Sequence, residues 1–231
     1  MLDERLSLAA QLYEPCALGA DIGTDHALLP CYLLTHNICQ EMILADVSPK
    51  ALLHAEESVR RHHLEKRAHV RLADGLDALT KPCGCVSMMG MGGETIRTVL
   101  LSGAEKLCGA VLVLSSHTEQ PLVRRTLPEI GYHIVQEKLC QAAGRFYIFW
   151  RAEPGQADDW TAEEMHYGRL LWVQNPPKML LDYCRYRIKV MADRLTGLAS
   201  AVGDVSRIRG EIAAEIDFYQ RKITELEGAL C

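Results

Sequence analysis

The chain has 231 residues, with 25 Lys and Arg against 30 Asp and Glu and a net charge of −5. An apolar share of 48% excludes a disordered chain, and no apolar run approaches the roughly 20 residues that span a bilayer. The acidic balance argues against binding nucleic acid by bulk positive charge, though not against a local basic patch. Met1-Leu2-Asp3-Glu4-Arg5 lacks the basic start of a secretion signal. Nine cysteines form no dense framework, and Cys83-Gly84-Cys85 has no second pair to complete a zinc site. The expectation is a cytoplasmic protein with reduced thiols, no metal and no membrane partner.

In chain order, Leu2 to Tyr13 reads as a helix with Leu2, Leu6, Ala9, Ala10 and Tyr13 along one face. Ala17 to Asp21 is a first buried strand, Ala27 to His36 a helix, and Met42 to Asp46 a second strand. Ser48 as N-cap and Pro49 at the first helical position open a helix to about His62. Strands follow at Ala68–Leu72, Val86–Met89 and Ala110–Leu114, with helices at Glu94–Leu101 and Leu122–Ile130. Tyr132–Leu139 and Arg145–Arg151 are adjacent strands with no helix between them. Five strand-then-helix units and a terminal hairpin predict an α/β, doubly wound, mostly parallel sheet with one antiparallel strand near its edge.

Beyond Glu153-Pro154-Gly155 the pattern becomes helical, which puts the domain boundary at 155/156. Trp160 to Val173 reads as one helix, broken by Asn175-Pro176-Pro177. Leu181, Cys184, Ile188, Met191, Leu195, Leu198 and Val202 form one apolar seam. Val205, Ile208, Ile212, Ile216, Tyr219, Ile223, Leu226 and Leu230 form another past a turn at Gly203-Asp204. Two seams and a short turn predict an antiparallel coiled-coil hairpin. Such a hairpin can pack only on itself, join a second copy or recognise RNA shape; its tyrosines read as packing residues.

Open α/β sheets bind ligands beyond the C-terminal ends of their strands. After strand one stands Asp21-Ile22-Gly23-Thr24-Asp25-His26, with a single glycine where a dinucleotide fingerprint needs three. Asp21, Asp25 and Asp46 repel a pyrophosphate and favour a cationic ligand. Adenosylmethionine, with its sulfonium and ammonium groups, suits them. Asp46 ends strand two, where a carboxylate can accept from both ribose hydroxyls. Asp74-Gly75 follows strand three, where Asp74 can accept from an adenine amino group, or simply form a turn. Gly90-Met91-Gly92-Gly93 after strand four frees the backbone to approach a substrate.

Taken together, these loops resemble the TrmK family. The resemblance rests on Ala20-Asp21-Ile22-Gly23-Thr24-Asp25-His26-Ala27-Leu28-Leu29-Pro30 and Gly90-Met91-Gly92-Gly93. It continues through Ala45-Asp46-Val47, Arg71-Leu72-Ala73-Asp74-Gly75-Leu76 and Gly131-Tyr132. The family consists of bacterial tRNA methyltransferases acting on N1 of adenine 22. The resemblance implies a class I, Rossmann-like methyltransferase domain with a C-terminal helical coiled coil, S-adenosyl-L-methionine as cofactor and tRNA as partner. It covers about residues 1–150. Ser115-Ser116-His117-Thr118-Glu119-Gln120-Pro121 departs from the family's usual loop after strand five, and this loop is expected to touch the substrate.

On that footing Asp21, Gly23, Thr24, Asp46, Asp74, Gly75 and Gly90 are expected to bind cofactor, and Asp25, His26 and Gly92 to serve the chemistry. Adenine N1 can attack the sulfonium methyl directly, leaving a cationic ring. Asp25 would stabilise that charge or take a proton from the exocyclic amine; its alternative is to cap the helix after it. His26 would position the base or the methionine part. Most of the acceleration comes from holding methyl and N1 in line. Arg5 and Arg97 are the expected RNA contacts, since the basic run from Arg60 to Arg71 lies on the opposite rim. Two other functions fit the same motifs: methylation of a small molecule or another RNA, and a non-catalytic partner that binds cofactor or RNA.

Overall fold

The computed structural model describes residues 2–156, 159–198 and 205–230. The chain divides into two compact units, Met1–Gln174 and Asn175–Cys231.

In the first unit the short apolar runs become strands because both their faces are covered. β1 (Cys16–Ile22), β2 (Cys39–Asp46), β3 (Ala68–Leu72), β4 (Cys85–Met91) and β5 (Val111–Ser116) pair in parallel. β6 (Tyr132–Ala142) and β7 (Arg145–Pro154) form the hairpin, with β7 antiparallel to both β5 and β6. The sheet order is β3-β2-β1-β4-β5-β7-β6, so β7 is the one reversed strand and lies next to the edge. Strand order reverses between β1 and β4, which both open toward the same end. Ala20, Met42, Leu44, Val86, Met88, Leu112 and Leu114 are fully enclosed in this core.

Local signals set the helices. α1 (Glu4–Leu12) starts where the Asp3 carboxylate accepts from the Leu6 amide at 2.9 Å. α3 (Pro49–Arg61) starts on Ser48, whose hydroxyl accepts from the Ala51 amide, with Pro49 at its first turn as expected. α4 (Gly93–Gly103) and α5 (Gln120–Glu129) follow β4 and β5, and Gly131 at φ +76° ends the last of these helical runs. The β3–β4 link departs from the expected strand-then-helix repeat. It carries only a 3₁₀ turn, Gly75–Ala78.

The domain boundary and the single helix at 160–173 are both corrected. That segment forms two short helices, α6 (Ala162–Tyr167) and α7 (Leu171–Gln174), and belongs to the sheet unit. Gly168, at φ +87°, separates them, and a Cβ there would stand 2.9 Å from Arg124 Nη2 and from both Glu137 carboxylate oxygens. A buried polar cluster binds the segment to the sheet. Glu137 accepts from Arg124 Nε at 2.7 Å, Trp150 Nε1 at 2.7 Å and the Leu171 amide at 3.1 Å. Arg124 also donates to the His166 carbonyl, and Gln174 bonds the backbone of Glu137 and Val135. Arg124 and Glu137 are 1% and 0% exposed at their side chains, so removing either one strands a buried charge.

The second unit pairs α8 (Pro177–Gly197) with α9 (Ser206–Leu230). Arg185 meets Glu227 and Arg187 meets Glu215, an antiparallel order. Cys184, Met191, Ile212 and Tyr219 of the expected seams are buried, whereas Ile208 is exposed. Tyr183 and Tyr219 meet edge to face at 5.8 Å, in keeping with packing roles. Val202 and the turn at Gly203-Asp204 lie outside the described residues, as does the Leu230 side chain.

Candidate active site

At the C-terminal ends of β1, β4 and β5 the structure forms an open cavity of about 300 Å³. Its lining includes Arg5, Asp21, Gly23, Thr24, Asp25, His26 and Gly90 of the expected residues. It also includes Ser115 and His117, from the loop expected to touch the substrate, and Tyr147 and Phe149, which the sequence places only in a strand.

Asp21 stands next to last in β1 at 8% exposure. Its Oδ1 accepts the Ser87 hydroxyl at 2.5 Å, and Ser87 in turn accepts the Tyr13 hydroxyl at 2.6 Å. Burial raises the Asp21 carboxyl to about 6; the Ser87 hydrogen bond opposes the rise and Asp46 adds to it. Gly23 sits at φ +78°, where a side chain would also strike the Met91 methyl at 2.5 Å. The Gly23 and Thr24 amides donate to the Ala45 carbonyl, tying the loop to β2.

Asp25 does not cap the next helix. α2 (Leu28–Thr35) begins after Ala27, a left-handed residue, and no side chain caps it. The exposed Asp25 carboxylate lies instead 3.1 Å from His54 Nδ1 and 3.4 Å from His26 Nε2. The two imidazoles stack, with centroids 4.8 Å apart and planes 9° from parallel. His54, on α3, went unnoticed in the sequence. The ligand atoms of Asp25, His26 and His54 lie within 4.8 Å of one another, a spacing that could hold an ion.

Asp46, Asp74 and Gly75 are outside the cavity lining but on the same sheet edge. One Asp46 oxygen accepts the Ser48 amide at 2.7 Å. The Ala73 amide donates to the Asp46 carbonyl, which brings the ends of β2 and β3 together. Asp74 is exposed and precedes the 3₁₀ turn. Gly75 is buried at φ +52°, with room for no Cβ beside Val99.

The glycine run after β4 has divided roles. Gly90 lines the cavity at φ +78° with open space around it. Gly92 does not line it and instead precedes α4, with Thr118 Oγ1 3.0 Å from where its Cβ would be. Gly93 lets the loop after β5 approach, its amide donating to the Thr118 carbonyl. Arg97 is also away from the cavity. It is engaged by Glu129 at 2.8 Å and Thr126 at 3.1 Å.

On the other part of the lining, Tyr147 and Phe149 point from one face of β7, two residues apart. The Arg5 guanidinium lies 5.1 Å from the Tyr147 ring centre and is held by Asp3 at 2.6 Å. The His117 ring meets Tyr147 edge-on at 6.0 Å.

A cavity at the switch point of this sheet, with carboxylates where phosphates would otherwise be held, defines a methyltransferase. Residues 2–149 match the family described as Methyltransferase domain. The chain is 31% identical over 159 residues to the tRNA (adenine(22)-N(1))-methyltransferase of Bacillus subtilis (strain 168), covering 68% of this chain and 67% of that one. It therefore belongs to the tRNA (adenine(22)-N1)-methyltransferase family. A Streptococcus pneumoniae protein, described as a proposed tRNA (m1A22) methyltransferase and solved with S-adenosyl-L-methionine, superposes with a TM-score of 0.84 at 26% identity, over 96% of this chain and 100% of that one. A Streptococcus agalactiae protein of the NADB-Rossmann superfamily superposes with a TM-score of 0.85 at 25% identity, over 96% and 97%.

Proposed function

We propose that the protein methylates N1 of adenine 22 in tRNA, with S-adenosyl-L-methionine as methyl donor. The observation that carries this reading is the buried Asp21 beside the exposed Asp25 in one cavity, in a chain of this family. Two carboxylates fit a ligand with sulfonium and ammonium charges, since a cation nearby favours the ionised form of Asp21 that burial opposes. The cofactor supplies an electrophilic methyl group on a sulfonium sulfur.

The chain's own residues do the rest. Asp21 and the Gly23–Thr24 turn bind the cationic part, Gly90 gives it backbone room, and Asp46 accepts from ribose hydroxyls with the oxygen that Ser48 does not use. Asp74 accepts from the adenine amino group, and Gly75 keeps the chain tight beneath it. Asp25, steadied by His26 and His54, offers negative charge as the acceptor ring turns cationic. His26 positions the acceptor base or the methionine part. Gly92 contributes through the loop that it lets approach Thr118. Arg5 contacts RNA at the rim; Arg97, already paired with Glu129, adds little. The reaction belongs to the cytoplasm, where tRNA matures.

The test is incubation with methyl-labelled cofactor and unmodified tRNA, followed by nucleoside analysis and mapping of the label. The expected product is 1-methyladenosine at position 22. Label on another nucleoside, or only on small molecules, would overturn the reading.

A further inference from the structure

We propose that Tyr147, flanked by His117 and Arg5, is the platform on which the target purine stacks once it leaves the tRNA helix. The inference rests on the tRNA methylation reading and names the substrate subsite of that cavity. N1 of a paired adenine is engaged in its hydrogen bond, so a base methylated there must be unpaired and extruded. An extruded base needs a flat apolar surface, which proteins supply as aromatic rings or guanidinium planes. In the acidic part of this cavity, Asp21 to His26, the one aromatic ring is that of His26, and it is already stacked on His54. Tyr147, His117 and Arg5 bring an aromatic ring, an imidazole and a guanidinium to the same lining.

The cluster is braced for that use. Phe149, 2% exposed and on the same strand face as Tyr147, anchors β7 in the core. Arg5 is fixed by two hydrogen bonds to Asp3, the residue that caps α1. Its charge is thereby balanced, so the site can hold a base that gains positive charge during transfer. Tyr147 itself is half-buried and lines the cavity, and His117 is exposed at its rim.

The experiment measures methyl transfer to tRNA by the full chain and by Tyr147→Phe, Tyr147→Leu and His117→Ala, with cofactor affinity measured by calorimetry. Phe keeps the ring and should retain kcat/KM for tRNA within about threefold, whereas Leu should lose about 10- to 100-fold, the scale of one lost base stack. Cofactor affinity should change less than about twofold in each, since a stacking platform contacts only the base. His117→Ala, at an exposed position that needs no repacking, should raise KM for tRNA several-fold, which keeps the test decisive if Tyr147→Leu melts early. Normal transfer by Tyr147→Leu overturns the platform, and so does an unchanged KM in His117→Ala. Equal losses in Phe and Leu, or a matching loss of cofactor affinity, also overturn it by assigning Tyr147 to the hydroxyl or the cofactor. Wild-type protein that labels no tRNA would instead defeat the methylation reading itself.

Discussion

Asp21 and Gly23 to His26, and the cluster of Arg5, His117, Tyr147 and Phe149, line one cavity, yet different forces place them. The first group is local: one strand end, one glycine turn and two amides on the Ala45 carbonyl hold it. The second is assembled from a helix, a loop and a strand that lie far apart in sequence. The first carries negative charge, part of it buried against its preference; the second is aromatic and carries a balanced cation. The difference teaches a division of labour, with charge chemistry on the short-range loop and shape recognition on the long-range surface. It can be broken by variants on the acidic side that disturb tRNA binding, and sharpened by those that do not.

The largest effect is expected at Asp25. Asp25→Asn should lower turnover by about 10²–10⁴-fold, the range for a lost acid–base or electrostatic partner. The carboxylate gains interaction energy only as positive charge moves onto the base, so affinity for cofactor should hold. Because Asp25 is exposed and caps no helix, melting should also be unchanged. Near-normal turnover, measured at saturating cofactor and tRNA, would reduce the Asp25–His26–His54 cluster to a surface feature.

Asp21 should give the next largest effect, on binding rather than turnover. Asp21→Asn is expected to weaken cofactor binding about 10- to 100-fold, the loss of one charged contact. The same change should stabilise the free protein at pH 8. A buried acid whose folded value is raised to about 6 favours the folded state only when protonated. That contribution is full below the unfolded value near 4, and it fades as pH rises through 6, where the ionised group costs about 3 kcal/mol. Calorimetric melting should show a gain of about 1–3 kcal/mol in the variant at pH 8 and none at pH 4. Equal stability at both would mean that the carboxylate is not strained by burial.

How much of this was legible in the sequence follows the same division. The strands were readable because runs such as Met42-Ile43-Leu44-Ala45 are apolar throughout, as a sheet covered on both faces requires. The acidic loop was readable because its residues are neighbours in sequence. Tyr147 was read only as part of a strand, since nothing local ties it to Arg5. His54 meets Asp25 across 29 positions, and Ser87 meets Asp21 across 66. The segment from 160 to 174 showed helical periodicity, but its attachment depends on Glu137 and Arg124, two charges that a sequence assigns by default to the surface. Gly92 and Gly93 looked like substrate-facing glycines, although close packing against Thr118 and Glu119 accounts for them.

The smallest expected effect tests whether the acidic part is tuned from below. Ser87 is the polar residue in an otherwise apolar stretch of β4, and its hydroxyl passes a chain of hydrogen bonds from Tyr13 to Asp21. That bond holds the Asp21 carboxyl lower than burial alone would put it. Ser87→Ala removes the donor and should move the carboxyl further upward from 6, since a bond to a charged group is worth roughly 1.5–3 kcal/mol. Cofactor affinity requires the ionised form, so it rises with pH through this value. The variant's affinity curve should therefore be displaced to higher pH, with a several-fold loss near pH 6 and almost none at pH 8. Tyr13→Phe is the control: Ser87 still donates to Asp21, and the curve should stay where it is. A uniform loss at every pH in Ser87→Ala would point to a packing defect in β4. A curve that rises with pH but stays unmoved would mean that the Ser87 bond does not tune Asp21, and a flat curve that Asp21 meets the cofactor uncharged.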